Sequence, residues 1–481
     1  MRDGYIKIIK EYIGQKIQRN YTLDQIKADV IRAGATPEEF NESLNQLTIG
    51  VPHEKKAKTS GLLQSRKFIL AFLIFFVFSL GFILINQAST PTKSTTPVEI
   101  VPKTVSTTKS GNQGPIAQVY ANSAPIDPER AFSYPKSNVL LVVTSKPKKE
   151  ILGFFPYWML PKADDINLST LTSVSLFGLE ADGKGNIVII NSKTNEIDPG
   201  WQMWKDPLLN KFIKRARDSG LKVFLTLKAF DNNNIESLVS SDVAQKAFIS
   251  NALYLASSKN LDGINLDFEY VGTPSPESRN GFTRLVTNLG SELKRQFPNA
   301  ILTIDTYAIS GSVPGLFELE LLSKHVDAFV IMGYDLHIAT GNPGPISPMG
   351  GNTNIIGLVQ GYLEKVAAEK LILAVPYYGY DWPTAPNSSN SLENASILSY
   401  SEIAETSTKH NLLWDDVSQT PWYSYTANEV KREVHFDNVR SLGIKYDFIN
   451  AKNLKGVGIW ALGYDGFSSD LQRLIVDKFA N

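Results

Sequence analysis

The segment DGINLDFE, residues 262–269, ends in two carboxylic acids separated by one residue. Its polar and apolar residues alternate, which predicts a β-strand whose side chains point to two opposite faces. Asn265, Asp267 and Glu269 then share one face. Ionising two neighbouring carboxyl groups together is costly on a buried face, so we expect Asp267 and Glu269 to share one proton. That proton would make Glu269 a general acid near neutral pH.

The same two acids also have a plainer interpretation. An isolated D-x-E at a strand end is more often a solvated or ion-paired cluster than a catalytic pair. The catalytic interpretation is favoured by further aromatic and acidic residues that end other apolar segments: Tyr157, Trp158, Tyr334, Asp335, Tyr377, Tyr378, Tyr380, Asp381, Trp382 and Trp460. Aromatic rings cover the apolar faces of sugars and carboxylates bind sugar hydroxyls, so this composition is typical of a carbohydrate site.

The elements that must position these residues are short apolar runs alternating with longer amphipathic stretches. Eight runs read as strands: 151–158, 173–179, 222–227, 263–269, 301–306, 328–334, 371–377 and 456–462. Candidate helices between them include 207–219, 241–259 and 278–297. This α/β alternation predicts a (β/α)8 TIM barrel over residues 150–481, with a small insertion between strands 7 and 8 at about 381–455. In such a barrel, functional residues gather at the C-terminal ends of the strands.

Composition excludes several classes of function. The formal net charge is zero, which gives no electrostatic case for a nucleic-acid partner. There is no cysteine, and none of the five histidines forms a close metal-ligand pair, so we expect no metal and no cofactor. The segment GLEADGK, residues 178–184, resembles the start of a phosphate-binding loop, but Gly185 follows instead of Ser or Thr. We interpret it as a turn.

Residues 68–85, FILAFLIFFVFSLGFILI, are continuously apolar and just long enough to span a bilayer. A signal peptide is the alternative, but its apolar core would be shorter and would not follow dozens of residues of structured sequence. Basic residues crowd the preceding flank, and Lys93 is the first basic residue afterwards. This asymmetry predicts a single-pass anchor in the cell membrane, with a cytoplasmic N-terminus and an extracytoplasmic C-terminal region.

Two further regions flank this segment. Residues 1–50 show helical spacing of apolar residues and capping patterns at Thr22 with Gln25 and Thr36 with Glu39, which predicts three short helices. The inward-facing residues of the last two would be Leu23, Ile26, Val30, Phe40, Leu44 and Leu47. This module could be a cytoplasmic docking or sensing domain or only a structural cap, and its partner is unknown. Residues 87–145 form a Ser/Thr/Pro-rich linker and lead-in.

The C-terminal region, from about residue 151, resembles glycoside hydrolase family 18, the chitinase-like enzymes. DGINLDFE resembles that family's DGxDxDxE signature. IMGYD at 331–335, PYYGYDW at 376–382 and GVGIWALGYD at 456–465 are similar to its motifs on strands six, seven and eight. Four motifs stand in the family's order at barrel spacing.

The resemblance implies a role for each matched residue. Glu269 would protonate the leaving glycosidic oxygen and then activate water. Asp267 would orient the substrate's 2-acetamido group, and Tyr334 would hydrogen-bond its carbonyl. This is substrate-assisted retention at an N-acetylated sugar, without an enzymic nucleophile. Trp460 would form the floor under that sugar, or else fill the barrel core. The remaining substrate-binding residues would be Asn265, Asp335, Tyr157, Met332 and Tyr378.

The chain departs from the family pattern in two places. Asn265 replaces the first aspartate of the D-x-D-x-E part; an amide can still bond Asp267 but cannot exchange a proton with it. Strand three reads KVFLTLKAFD instead of ending in SxGG, with Lys228, Phe230 and Asp231 in that region. These residues predict a narrower or differently charged site. They point towards the bacterial branch that resembles cell-wall and spore-wall N-acetylglucosaminidases.

The sequence therefore leaves three functions in view. The first is hydrolysis of β-1,4 bonds next to N-acetylglucosamine in peptidoglycan or chitin-like glycans. The second is a catalytically silent, lectin-like barrel, against which the retained Glu269 argues. The third is a scaffold that relays the state of the wall to the N-terminal module, which is compatible with either of the others.

Overall fold

The computed structural model describes residues 23–32, 36–48, 126–132 and 146–480, the last range without Pro314 and Asn387, and the single positions Ile6, Ile9, Lys10 and Ile13. Eight parallel strands of the largest range close into a barrel. They are β1 (Glu150–Pro156), β2 (Ser173–Glu180), β3 (Lys222–Ala229), β4 (Gly263–Phe268), β5 (Ile301–Tyr307), β6 (Ala328–Met332), β7 (Leu371–Pro376) and β13 (Gly456–Trp460). The predicted TIM barrel is confirmed, and each of its strands overlaps one predicted run.

Helices connect most of the barrel strands. The described helices of this region are Pro128–Ala131, Pro199–Lys205, Pro207–Asp218, Asn232–Ser240, Asp242–Ser258, Pro276–Gln296, Leu319–Leu322, Ile355–Leu363, Tyr400–Ser407, Val439–Ala451 and Asp470–Phe479. Shorter 3-10 helices cover Tyr157–Asp165, Ala308–Gly311 and Ala368–Lys370. Several helices begin at a side-chain cap that bonds a free backbone N–H, as Asp206 does with the amide of Leu208 at 2.8 Å. Tyr157 and Trp158 were predicted within strand one. They instead begin the 3-10 helix that follows β1.

The insertion between the last two barrel strands is a five-stranded antiparallel sheet. It consists of β8 (Tyr378–Thr384), β9 (Ser396–Ser399), β10 (Leu413–Asp415), β11 (Thr420–Ala427) and β12 (Val430–Phe436), in the order β10-β11-β12-β8-β9. One residue, Tyr377, separates β7 from β8. Tyr378 therefore begins the inserted sheet, although the sequence analysis placed it in the end of strand seven and started the insertion at about residue 381.

The inside of the barrel carries a polar row across four neighbouring strands. Ser175 of β2 and Thr226 of β3 have hydroxyl oxygens 2.7 Å apart, and the Asn265 amide donates to Thr226 Oγ1 at 3.4 Å. Thr303 of β5 donates to Asn265 Oδ1 at 2.6 Å. These residues are fully or almost fully buried. Mutual hydrogen bonds offset the cost of placing them there.

The N-terminal region is described in part, with helices at Leu23–Arg32 and Pro37–Thr48. The predicted capping box before the second helix is present. The Thr36 amide donates to the Glu39 carboxylate at 2.8 Å, and the Glu39 amide donates to the Thr36 hydroxyl at 3.2 Å. The predicted partner pattern at Thr22 lies outside the described residues.

Burial in these helices agrees with half of the predicted inward face. Ile26, Val30 and Phe40 are buried, Leu44 is half-buried, and the side chain of Leu47 is not among those described. Leu23 is 47% exposed, so its predicted burial is wrong. Leu23 is the first residue of its helix, and no preceding turn of that helix shields it.

No helix among the described residues is both long and apolar enough to cross a membrane. The predicted span, residues 68–85, lies outside the described residues, as does most of the predicted linker, 87–145.

Candidate active site

Strand β4 turns its polar residues into the barrel and its apolar residues towards the helices. The ring of Phe268 lies 5.7 Å from that of Phe248 and 5.6 Å from that of Phe282, both on surrounding helices. Asp267, on the opposite face, has no exposed surface, and neither has Glu269, the residue after the strand. The alternation predicted from DGINLDFE therefore matches the described contacts.

Asn265 bonds a carboxylate that the sequence analysis did not consider. Its amide nitrogen donates to Asp305 Oδ2 on the neighbouring strand β5 at 2.7 Å. Its amide oxygen accepts from Thr303, so both ends of the amide are engaged within the barrel. The expectation that Asn265 could bond Asp267 is therefore corrected: the amide turns across to β5, where Asp305 supplies the acceptor.

Burial shapes the protonation of both aspartates. Burial raises the pKa of Asp267 to about 7, while the positive charge of Lys228 opposes this rise. Burial also raises the pKa of Asp305 well above its usual value, the negative charge of Asp267 raises it further, and the bond from Asn265 lowers it. Asp305 is thus a carboxyl group that responds to the charge of Asp267. The proton expected to be shared between Asp267 and Glu269 stays a prediction.

Glu269 lies where the predicted acid should be, directly after the end of β4. Its amide donates to the carbonyl of Ala229 on β3 at 2.9 Å, which extends the β3–β4 pairing by one residue. Two tyrosines respond to its charge. Burial raises the pKa of Tyr307 and of Tyr334, and the negative charge of Glu269 contributes to both shifts. The Tyr307 hydroxyl is buried and has no hydrogen-bond partner in the described part of the chain.

Asp335 is fixed by two tyrosines of the inserted sheet. Its Oδ1 accepts from the hydroxyl of Tyr378 at 2.5 Å and from that of Tyr380 at 3.0 Å. Its backbone has φ of 56°, the left-handed region, which turns the chain sharply after β6. Burial raises the pKa of Asp335 to about 7, against the lowering effect of the two hydroxyl donors. The insertion thus reaches directly into the predicted site.

Tyr334 and Met332, two of the predicted site residues, lie at or just after the end of β6. Tyr334 is buried, its ring lies 6.1 Å from that of Tyr378, and its pKa responds to four acids: Asp305, Asp267, Asp335 and Glu269. Met332 is buried at the end of β6, and strand alternation places it on the same face as Tyr334.

Trp460 lies at the end of β13 with 1% of its surface exposed. Its ring is 4.7 Å from that of Phe177 and 6.2 Å from that of Trp158. Tyr157 is half-buried and its ring meets the edge of Trp158 at 4.8 Å. Trp158 therefore lies between Tyr157 and Trp460 in this chain of ring contacts. The role of Tyr157 in substrate binding stays a prediction.

Lys228 is the one basic residue that the described interactions place beside Asp267. The two residues are register partners on β3 and β4. The Lys228 ammonium lies 3.1 Å from Glu180 Oε2 and 4.9 Å from the centre of the Phe230 ring, and the residue is 7% exposed. The altered third strand thus places a buried positive charge beside the carboxylates of Asp267 and Glu180. This agrees with the prediction of a differently charged site.

Sequence reasoning missed Asp305, Tyr307 and the role of Tyr380. A signal for the first two was present, because ILTIDTY alternates in the same way as INLDFE and carries Thr303, Asp305 and Tyr307 on one face. Tyr380 was named among the aromatic residues, but its bond to Asp335 depends on the path of the inserted sheet.

The barrel, the acid directly after β4 and the tyrosine–aspartate pair after β6 together form the candidate active site. The family model for glycosyl hydrolases family 18 matches residues 150–465. The chain belongs to this family.

Similar proteins include a cortical fragment-lytic enzyme and a chitinase. The chain is 24% identical to the cortical fragment-lytic enzyme of Bacillus subtilis over 53% of this chain and 60% of that protein. It is 26% identical to chitinase A1 of Niallia circulans, over 54% of this chain and 44% of that protein. The chain thus spans less than two thirds of either relative.

Among solved structures, a family 18 chitinase from Cycas revoluta in complex with (GlcNAc)3 matches with a TM-score of 0.58. The match covers 68% of this chain and 99% of that one at 19% identity. At this identity the likeness supports the barrel fold alone.

Proposed function

We propose that the protein hydrolyses β-1,4 bonds next to N-acetylglucosamine in peptidoglycan or a chitin-like glycan, by substrate-assisted retention. The observation that carries the proposal is the position of Glu269, directly after β4 and beside Asp267, in a chain of glycosyl hydrolases family 18. A lectin-like barrel has no need of an acid at this position.

The charges around Glu269 fit the roles proposed for its neighbours. Glu269 donates a proton to the leaving oxygen and then takes one from water. Asp267, with a pKa of about 7, can carry the negative charge that stabilises the oxazolinium formed by the substrate's own acetamido group. The raised pKa of Tyr334 keeps its hydroxyl protonated, so that it can donate to the acetamido carbonyl. Asp335 binds a sugar hydroxyl.

The preferred glycan depends on the charge of the site. Lys228 beside Asp267 distinguishes this site from the family pattern quoted above, in which strand three ends in SxGG. A cation near the reacting sugar favours a glycan with carboxylate substituents, which peptidoglycan carries and chitin lacks. We therefore place peptidoglycan first and chitin second.

Product analysis tests the activity and the substrate together. The full chain is incubated with purified peptidoglycan and with a chitooligosaccharide, new reducing ends are identified, and the initial anomer is followed by NMR. We expect cleavage next to N-acetylglucosamine with retention of the β-anomer. Binding without cleavage of either glycan would indicate the lectin-like alternative, and an inverted anomer would contradict the mechanism.

We also propose that residues 68–85 anchor the protein in the cell membrane with the N-terminus in the cytoplasm. The length of the apolar run and the basic residues on its N-terminal side support this topology. Protease added to intact cells should remove the barrel region and spare an epitope placed at the N-terminus. Digestion of that epitope from outside would overturn the topology.

A further inference from the structure

Asp267 and Asp305 lie at the same level on neighbouring strands. The register pairs Asn265 with Thr303 and Leu266 with Ile304. Each aspartate lies two residues beyond the first of these pairs, so both are on the inward face. The two residues are 0% and 2% exposed.

Their hydrogen bonding is incomplete in a specific way. Asp305 Oδ2 accepts from Asn265, but Asp305 Oδ1 and both oxygens of Asp267 have no hydrogen-bond partner among the described residues. Thr303 holds the amide oxygen of Asn265, so the amide nitrogen faces Asp305. Two ionised carboxylates in this position would be expensive, whereas one proton turns either acid into a donor for the other.

We propose that Asp305 replaces the carboxyl group that the family pattern has at Asn265: it shares one proton with Asp267 across β4 and β5. Asp305 is a positioning residue, because it acts through Asp267 and not on the substrate. The shared proton leaves the pair of Asp267 and Asp305 with one negative charge, and not two, next to Glu269. Asn265 holds Asp305 in place through the 2.7 Å bond. The inference rests on the proposed hydrolytic function.

The charged surroundings agree with a single negative charge in the pair. The titratable groups whose charges act on one another here come from β3 to β6: Lys228, Asp267, Glu269, Asp305, Tyr307, Tyr334 and Asp335. Lys228 is the only cation among them, and it is already 3.1 Å from Glu180. One shared positive charge cannot compensate two buried carboxylates as well as it compensates one.

The test moves the carboxyl group back to the strand where the family pattern has it. Asp305→Ala removes the proton partner, and Asp305→Asn keeps the shape and the acceptor for Asn265 but cannot titrate. The double variants Asn265→Asp/Asp305→Ala and Asn265→Asp/Asp305→Asn restore a carboxyl group next to Asp267. Asp327→Asn is the matched control, because Asp327 bonds the Leu302 amide at the opposite end of β5.

We expect Asp305→Ala to lower kcat at least about tenfold with a smaller change in KM, and each double variant to recover most of that loss. Asp305→Asn should also lower kcat. In its pH profile of kcat, the limb that reports the ionisation of Asp267 and Asp305 should fit the loss of one proton, whereas the wild-type limb should fit the loss of two. Asp327→Asn should leave kcat unchanged even if it lowers the melting temperature.

The outcomes separate this inference from the proposed function. If wild-type protein hydrolyses no glycan, the proposed function fails. If wild-type protein is active and Asp305→Asn keeps full kcat and an unchanged pH profile, the role of Asp305 is overturned. Loss of activity without rescue by either double variant also overturns it. If Asp305→Ala does not fold, the asparagine variant and its double variant decide.

Discussion

At the scale of single residues, Lys228 has the clearest electrostatic effect on the site. It is the register partner of Asp267 and lowers the pKa that burial raises to about 7. Glu180 and the Phe230 ring hold its ammonium group in place. The residue therefore sets the fraction of Asp267 that is ionised near neutral pH.

Lys228→Met should move the acidic limb of the kcat/KM profile to higher pH. Without the positive charge, burial raises the pKa of Asp267 further, so less of the anion is present at a given pH. Lys222→Met on the exposed, opposite end of β3 is the control and should leave the profile unchanged. A limb that stays in place, or moves to lower pH, would contradict the role given to Lys228.

The sequence predicts which face of a strand a residue lies on, but not the register between neighbouring strands. Alternation correctly placed Asn265 and Asp267 on one face, because it depends only on local geometry. It could not show which neighbour each side chain bonds, because that depends on the stagger between β4 and β5. Asp305 was therefore missed even though its own strand had been predicted.

At the scale of elements, the close approach of β1 and β13 completes the barrel. A Cβ at Gly456 would lie 1.9 Å from the carbonyl oxygen of Glu150, its register partner. Any side chain there would separate the two strands. The barrel therefore closes at a position where only glycine fits.

Gly456→Ala should lower the free energy of unfolding by about 3 kcal/mol or more, since backbone would have to move. The comparison is Gly443→Ala in the helix Val439–Ala451. A Cβ there meets nothing nearer than 3.5 Å, so the variant should gain about 0.5–1 kcal/mol. Chemical denaturation of both variants measures this. Equal stabilities would refute the assigned role of Gly456.

The barrel elements were predictable, but the boundary of the insertion was not. Runs of β-branched and apolar residues separated by amphipathic helices fix the strand order with little ambiguity. The sequence predicts that strand seven ends at residue 377 and that the insertion begins at about 381, yet the chain leaves β7 at Pro376 and begins β8 at Tyr378. That change follows from the pairing of β8 with β12, whose sequence lies about fifty residues further on.

At the scale of the whole molecule, two buried acids and one half-buried acid make stability depend on pH. Burial raises the pKa of Asp267, Asp335 and Asp465 to about 7 each. An acid whose pKa is raised in the folded state stabilises the fold at low pH. This stability is lost as the pH rises from about 4, the unfolded value, to about 7.

Asp465→Asn should make the protein less sensitive to this rise in pH. The amide keeps an acceptor for Gln472, which donates to Asp465, but it cannot ionise. Relative to wild type, the variant should gain roughly 1–4 kcal/mol between pH 4 and pH 8, since each pKa unit corresponds to about 1.4 kcal/mol. Urea unfolding at both pH values measures the gain.

The control is Asp447→Asn, which breaks an exposed ion pair to Lys478 and should change stability by less than about 1 kcal/mol at either pH. An Asp465→Asn variant with the same pH dependence as wild type would show that Asp465 does not resist ionisation in the fold.

The most direct measurement for the account as a whole is the turnover of Glu269→Gln on the glycan that wild-type protein cleaves. Glutamine keeps the shape of the side chain but cannot supply the proton. We expect kcat to fall at least about a hundredfold while binding of the intact glycan changes little. Full turnover by Glu269→Gln would contradict the assignment of Glu269 as the catalytic acid.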